Sequence, residues 1–438
     1  MKARIITLIY LLVGSLFAQE SYTLESYISG VLENDYGIKI IRNEAQIAKN
    51  ENNVGAAGYL PEIAVVAEQN WTINSARQQF LSGQVNEADN AQNRSFNAGA
   101  MLNWTFFDGF KMFITDKKLD LLEAYAGYNL VAEMEMKIYR ASLAFYTLLL
   151  LQEMDEVYKE SITLSNARKT QVETRIKNGA SSEYELIQLR LDLNADSAIY
   201  LQNKRAIALL KAEMNTLLAR NTTSDLRVSG EFPIAPNVLN WEEVKSTALN
   251  QHTSIMQSKI SIAIREKEHK EVLSRYYPQL AFYTGYNYGQ SQNQVGFLLS
   301  NRSFGPQFGL TLRWDILDGL TRMQGAKNAK LQTENAKLAD AQQTLQVEAE
   351  LRNAFVEYEW ALSNIQFETR NAIDATEMAE IMNNAFLAGA FTSLELREMQ
   401  FAIVLAQSRL LNAKLDYVTA KLNISLATGD FRQMLQNP

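Results

Sequence analysis

Two carboxylates three residues apart, Glu395 and Glu398, follow a glycine turn at Gly389 and open a run of helix-forming sequence. That spacing sets both on one face of a helix, and negative charge near a helix N-terminus stabilises it by ~0.3–1 kcal/mol. Arg397 lies between them and can pair with either. The matching positions 210 residues earlier are Glu185 and Gln188, so only one acid is kept there. Other carboxylates stand two apart, Glu133 with Glu135 and Glu348 with Glu350, a spacing that points them to different faces and reads as solvated helix surface. His252 and His269 lie seventeen apart in charged, helix-forming sequence; they are not expected to form a metal site and also read as solvent-facing. There are no cysteines, hence no disulfides and no thiolate ligands. No glycine-rich phosphate loop, metal quartet or catalytic triad is legible. The expectation is a protein that is not an enzyme and needs no cofactor or metal.

The elements that must position those glutamates are written twice. Leu102-Asn103-Trp104-Thr105-Phe106-Phe107-Asp108-Gly109 returns 210 residues on as Leu312-Arg313-Trp314-Asp315-Ile316-Leu317-Asp318-Gly319. Asn178-Gly179-Ala180-Ser181-Ser182, with Glu185-Leu186, returns as Ala388-Gly389-Ala390-Phe391-Thr392, with Glu395-Leu396. Tyr59-Leu60-Pro61 returns as Tyr276-Tyr277-Pro278 at an offset of 217, a difference that reads as one helical heptad of drift. Such ordered self-similarity marks a tandem structural unit. At the two turns, glycine permits the positive φ that ends one helix, and serine or threonine caps the next.

Each repeat carries two alternating segments, at about 61–74 and 94–107, then 279–289 and 303–316. Phe304, Phe308, Leu310, Leu312, Trp314 and Ile316 alternate with Ser303, Gln307, Gly309, Thr311, Arg313 and Asp315, a period of two that gives one apolar and one polar face. Strands of this length suit a tilted membrane crossing, and the aromatics near their ends suit interfacial girdles. A membrane tolerates no open sheet edge, and single-chain barrels need about eight strands. Four strands therefore require oligomerisation. The helical stretches are expected at about 34–58, 109–177 and 182–218 in the first repeat and at 241–275, 319–388 and 393–427 in the second. Leu394, Phe401, Ser408, Leu415 and Leu422 fall every seven residues, with Val404, Leu411 and Val418 three positions on. Leu186, Leu193, Tyr200, Ile207 and Met214 repeat that spacing in the first half. Sevens of this kind mark coiled-coil seams.

Residues 1–18 read as a secretory signal: Lys2 and Arg4, an apolar stretch, then Ala18 as the cleavage-side small residue. The net charge of −7 gives no electrostatic case for nucleic acid. Segment 222–240 connects the first repeat (19–221) to the second (241–428), and 429–438 forms a tail.

Together these features resemble the TolC-like outer-membrane efflux proteins. The carrying motifs are the duplicated Tyr-x-Pro before a strand, the duplicated Trp…Asp-Gly at the strand exit, and the turn 388–396. The resemblance implies a mainly helical homotrimer with a twelve-stranded β-barrel on a twelve-helix periplasmic tube. It implies a passive outer-membrane exit duct for tripartite efflux or type I secretion, serving an inner-membrane transporter through a periplasmic adaptor. Glu395, Glu398, Glu185 and Gln188 fall where the family's acidic residues ring the periplasmic aperture. Gly179, Ala180, Ser181, Ser182 and Gly389, Ala390, Phe391, Thr392, Ser393 fall where adaptor hairpins dock. Phe391 stands where some relatives carry a basic residue. Segment 222–240 resembles the equatorial belt, and the lack of cysteine excludes a lipid anchor. The alternative is a periplasmic coiled-coil scaffold or adhesin without a channel.

Overall fold

A computed structural model describes residues 21–235, 239–295, 298–387 and 393–431; the signal segment 1–18 lies outside them. The chain is mainly helical and divides into two compact units. One comprises Met1–Arg42, Leu130–Thr253 and Thr344–Pro438, and the other Asn43–Asn129 and Ser254–Gln343.

The second of these units holds one antiparallel sheet. Strands β2 (Glu62–Gln79), β3 (Val85–Phe107), β5 (Gln279–Gln292) and β6 (Ser300–Arg313) pair in the order β2-β3-β5-β6. The registers Ile63↔Leu102, Leu102↔Thr284 and Thr284↔Phe308 carry the apolar face across all four strands. Ile63, Val65, Trp71 and Ile73 on β2, and Phe304, Phe308, Leu310 and Leu312 on β6, are all exposed. The opposite face carries Asn97, Asn287, Gln307, Ser303 and several glycines beside Val66, Met101 and Tyr283; Gly309 is there because a Cβ would meet the Tyr283 ring at 2.5 Å. The first hairpin is longer than its alternation suggests. Residues 75–79 and 85–93 fall outside the alternating segments expected at about 61–74 and 94–107, yet they pair as strand, from Ala76↔Ala88 to Gln79↔Val85. Ladder bonds belong to the backbone, so a stretch without apolar alternation still pairs when its neighbour is in register.

The duplicated motifs meet each other here. Trp104 Nε1 donates to the Tyr59 carbonyl at 2.9 Å, and Trp314 Nε1 donates to the Tyr276 carbonyl at 3.1 Å. Each Asp-Gly then opens a long helix: α3 (Lys111–Lys177) after the first and α7 (Thr321–Leu387) after the second. Asp108 Oδ1 accepts from the Met112 N–H at 3.1 Å, and Asp318 Oδ2 accepts from the Arg322 N–H at 3.0 Å. Two successive residues take positive φ at each exit, Gly109 with Phe110 and Gly319 with Leu320. The offset of seven is not helical drift. Pro61 to Trp104 spans 43 positions and Pro278 to Trp314 spans 36, so the extra residues lie in the first hairpin. Both α3 and α7 contain 67 residues.

The helices before the hairpins differ from expectation. The stretch expected as one helix at about 34–58 is α2 (Tyr36–Glu51), preceded by a separate α1 (Leu24–Asn34). Asp35 breaks them with an extended ψ of 128°, while its Oδ1 accepts from the Ile38 N–H. Beyond Glu51, the Asn53 side chain accepts from the N–H groups of Gly55 and Ala56, a local turn that competes with helix. The expected 241–275 helix likewise splits into α5 (Trp241–Gln251) and α6 (Thr253–Ser274) at His252, where ψ is 125°. Asp35 and His252 are 217 apart, so the break is part of the repeat.

In the first unit, Tyr27, Phe145, Leu148, Met214, Leu351, Phe355, Tyr358 and Tyr417 form one buried core. They come from α1, α3, α7, α4 (Glu183–Leu217) and α8 (Ser393–Thr428). Along α8, Leu411 and Val418 are buried and Leu415 and Leu422 pack on the core, whereas Leu394 and Phe401 stay exposed. The linking segment is bound, not loose. Its β4 (Arg227–Val228) pairs in parallel with β1 (Ser21–Tyr22), and the Gln152 side chain brackets Val228. Phe232 lies on Tyr146, and Tyr417 Oη donates to the Ala235 carbonyl. Burial raises the Tyr358 phenol to about 12. No helix among the described residues is long and apolar enough to cross a membrane.

Candidate functional site: the helix tips

The turn between α3 and α4 ends one helix with Gly179 at φ +70° and starts the next with Ser182, whose Oγ accepts from the Glu185 N–H at 3.4 Å. Glu185 returns the favour locally, its carboxylate accepting from Ser181 Oγ. Glu185 is thus engaged in capping its own helix. Gln188 donates to Asp192 Oδ1 at 3.5 Å, one turn along α4. Gly389, Ala390, Phe391 and Thr392 lie outside the described residues, and Ser393 is the first residue of α8. Glu395 and Glu398 are both exposed in the opening turns of α8.

Arg397 crosses to α4, where Nη1 and Nη2 donate to Asp196 at 2.7 and 2.8 Å, and Nε stands 3.8 Å from Asp192. Its position, two residues from Glu395, turns it about 200° around the helix from that side chain. Hydrogen bonding to Asp196 holds the Arg397 guanidinium above its ordinary range. One turn further, Gln400 is buried and its Nε2 donates to the Ser161 carbonyl and Oγ, both at 2.7 Å, and to Ser165 Oγ at 3.0 Å. Ser165 Oγ also reaches Asp196 Oδ2 at 3.2 Å. A polar layer therefore ties α8 to both α3 and α4. Sequence reasoning missed Asp192, Asp196, Gln400, Ser161 and Ser165. The i,i+4 aspartates of α4 were the available signal, and nothing in their spacing named a partner 201 positions away.

Of the other carboxylate pairs, only Glu135 departs from a solvated surface by being buried; Glu350 is exposed. Glu135 is buried and accepts from Thr253 Oγ1 at 2.6 Å, while Glu133 stands 3.7 Å from Lys137. Glu348 pairs with Lys245, and Glu350 accepts from Gln346 at 2.9 Å. His252 and His269 are half-buried. Among the described residues no group of three or more His, Cys, Asp or Glu is placed to hold a metal ion.

The chain thus carries long helices and a four-stranded sheet whose apolar face is exposed. The sequence profile of the family described as outer membrane efflux protein matches residues 244–430. No curated protein sequence matches the chain. Solved structures match across it. The CmeC outer-membrane channel of Campylobacter jejuni has 17% identity and a TM-score of 0.75, covering 93% of this chain and 85% of that one. The outer-membrane protein VceC of Vibrio cholerae has 14% identity and a TM-score of 0.71, covering 93% and 96%. The open-state MtrE outer-membrane channel of Neisseria gonorrhoeae has 14% identity and a TM-score of 0.71, covering 93% and 88%. The chain is thus similar in sequence to outer membrane efflux proteins over residues 244–430, and it shares the fold of outer-membrane channels over nearly its whole length.

Proposed function

We propose that this chain is the passive exit duct of a tripartite efflux or type I secretion system, working as a homotrimer in the outer membrane of a Gram-negative bacterium and extending into the periplasm. One observation carries the reading: a four-stranded sheet whose apolar face is exposed and whose outer strands, β2 and β6, each have one neighbour among the described residues. Unpaired backbone and bare apolar surface are tolerable together only if other copies complete the sheet and lipid covers it. Three copies make twelve strands with a polar interior, enough for a wet lumen.

The tube below is assembled in the same way. Along α7, Leu331, Leu338 and Leu345 repeat every seven residues and are all exposed, as are Trp360, Phe367 and Ile381. A heptad stripe left bare in one chain is the surface a neighbouring helix covers. Glu395 and Glu398, both exposed, ring the periplasmic aperture under threefold symmetry and favour cations by focused field. Glu185 and Gln188 form the weaker half of that ring. The turns at 179–182 and 389–393 receive the periplasmic adaptor, and the inner-membrane transporter supplies cargo and energy. The barrel, without a lipid anchor, holds the protein in the membrane. No residue here performs catalysis.

Single-channel conductance in planar bilayers tests this. Wild-type protein is expected to open with cation selectivity, and Glu395→Ala with Glu398→Ala is expected to reduce that selectivity. Conductance with unchanged selectivity removes the glutamates from the aperture. A folded oligomer that never inserts favours a periplasmic scaffold.

A further inference from the structure

The polar layer at the helix tips leaves one cation unserved. Arg168, on α3, is 7% exposed, and its Nε, Nη1 and Nη2 are all buried without an acceptor among the described residues. Asp192 and Asp196 attract it, but both are engaged by Arg397, whose own charge opposes it. Desolvation holds the Arg168 guanidinium below its ordinary range, with the charge of Arg397 adding to the effect. A buried guanidinium with no acceptor is among the least favourable arrangements a folded chain can keep, and an incoming anion relieves it.

Arg168 also forms part of the wall of a cavity of about 360 Å³ between α3, α7 and α8. Leu164, Leu396, Met399 and Ile403 supply much of the remaining lining. That is the size and character of a small-molecule site, mostly apolar with few polar groups. Glu380 stands on the exposed α7 side, where its charge repels a second anion and turns a carboxylate toward the opposite wall. The guanidinium fork matches a carboxylate with two parallel hydrogen bonds; its nitrogens are covered in this structure, so binding requires the side chain to turn toward the cavity.

We propose that this cavity binds a small amphipathic monocarboxylate, its apolar body against Leu164, Leu396, Met399 and Ile403 and its carboxylate on Arg168. This site lies outside the duct reading and does not depend on it, since binding is measured without any flux.

The test uses full-length assembled protein in lipid nanodiscs. The chain has no cysteines, so Ala167→Cys places a single thiol in the cavity lining for alkylation. 1-Naphthoate is the probe, and the neutral 1-naphthalenemethanol is its control. The expected result is saturable slowing of alkylation by naphthoate, at least tenfold tighter than by the alcohol. Adding Arg168→Gln is expected to weaken naphthoate at least tenfold and leave the alcohol unchanged, and Glu380→Gln to tighten naphthoate. Equal affinity for naphthoate and the alcohol in the protein with Arg168 intact overturns the proposal, even if Arg168→Gln fails to assemble. So does the absence of saturable protection, the result expected if a neighbouring copy already supplies the acceptor.

Discussion

Removing Asp196 and removing Arg397 break the same ion pair, yet they should differ in effect because of what each leaves behind. Arg397 and Asp196 are 18% and 11% exposed at the side chain and share two hydrogen bonds. Breaking a buried pair by deleting one partner costs about 3–5 kcal/mol, and this residual exposure lowers that to about 2–4 kcal/mol. Asp196→Leu should reach this range, because it strands Arg397 beside Arg168, two guanidinium groups with one remaining aspartate. Arg397→Leu should cost only about 1 kcal/mol, since Asp196 keeps Ser165 and gains the unengaged Arg168 as a replacement cation. Both variants act on the attachment of α8 to α4, so amide hydrogen exchange over the first turns of α8 is the assay. At 1.4 kcal/mol per tenfold, Asp196→Leu should speed exchange by roughly 30- to 700-fold and Arg397→Leu by roughly fivefold. Equal effects, or a larger effect from Arg397→Leu, would show that Arg168 does not serve as the reserve partner.

Two further outcomes follow from the geometry. Gly109→Ala should abolish assembly, because its Cβ would lie 2.3 Å from the Ser274 carbonyl oxygen at φ +72°; Gly319→Ala, with nothing within 4 Å at φ +64°, should only lower the melting temperature. The strain there is about 1–2 kcal/mol, and the reverse order of severity in oligomer yield and melting would refute the assignment. Burial raises the Glu153 carboxyl above its ordinary range, Lys414 partly offsetting this and Glu231 adding to it. The folded state therefore holds that proton more tightly than the unfolded chain, so the penalty is absent below the unfolded pKa of about 4.3 and grows as pH rises past it. Glu153→Gln should raise the melting temperature at pH 7–8 and leave it unchanged at pH 4; an equal shift at both values would indicate a packing effect instead.

What was legible in the sequence was whatever repeats or alternates. The Trp…Asp-Gly and Tyr-x-Pro motifs could be found without knowing that Trp104 and Trp314 bond to the tyrosine carbonyls. The breaks at Asp35 and His252 share the 217 offset, but their residue types differ, and an aspartate and a histidine do not announce the same bend. The outer part of the first hairpin was hidden because its polar residues carry no period. The pairing of Arg397 with Asp196 was hidden for another reason: helix periodicity gives the face a residue occupies, not the helix it meets. Arg168 lay in an unremarked polar stretch of α3, and only burial distinguishes it from the solvated charges around it.

The equal lengths of α3 and α7, set against unequal hairpins, govern how such a chain can change over time. A one-residue deletion in either helix rotates everything beyond it by about 100° and misplaces each buried side chain that follows. Seven residues removed from one helix alone restore the faces but displace them along the axis by about 10 Å. The hairpins carry no such constraint, and the first already holds seven residues more than the second. The helical part is thus a gauge that inheritance must copy unaltered, while the tip at Phe80 to Gln84 is free to lengthen, shorten and diversify.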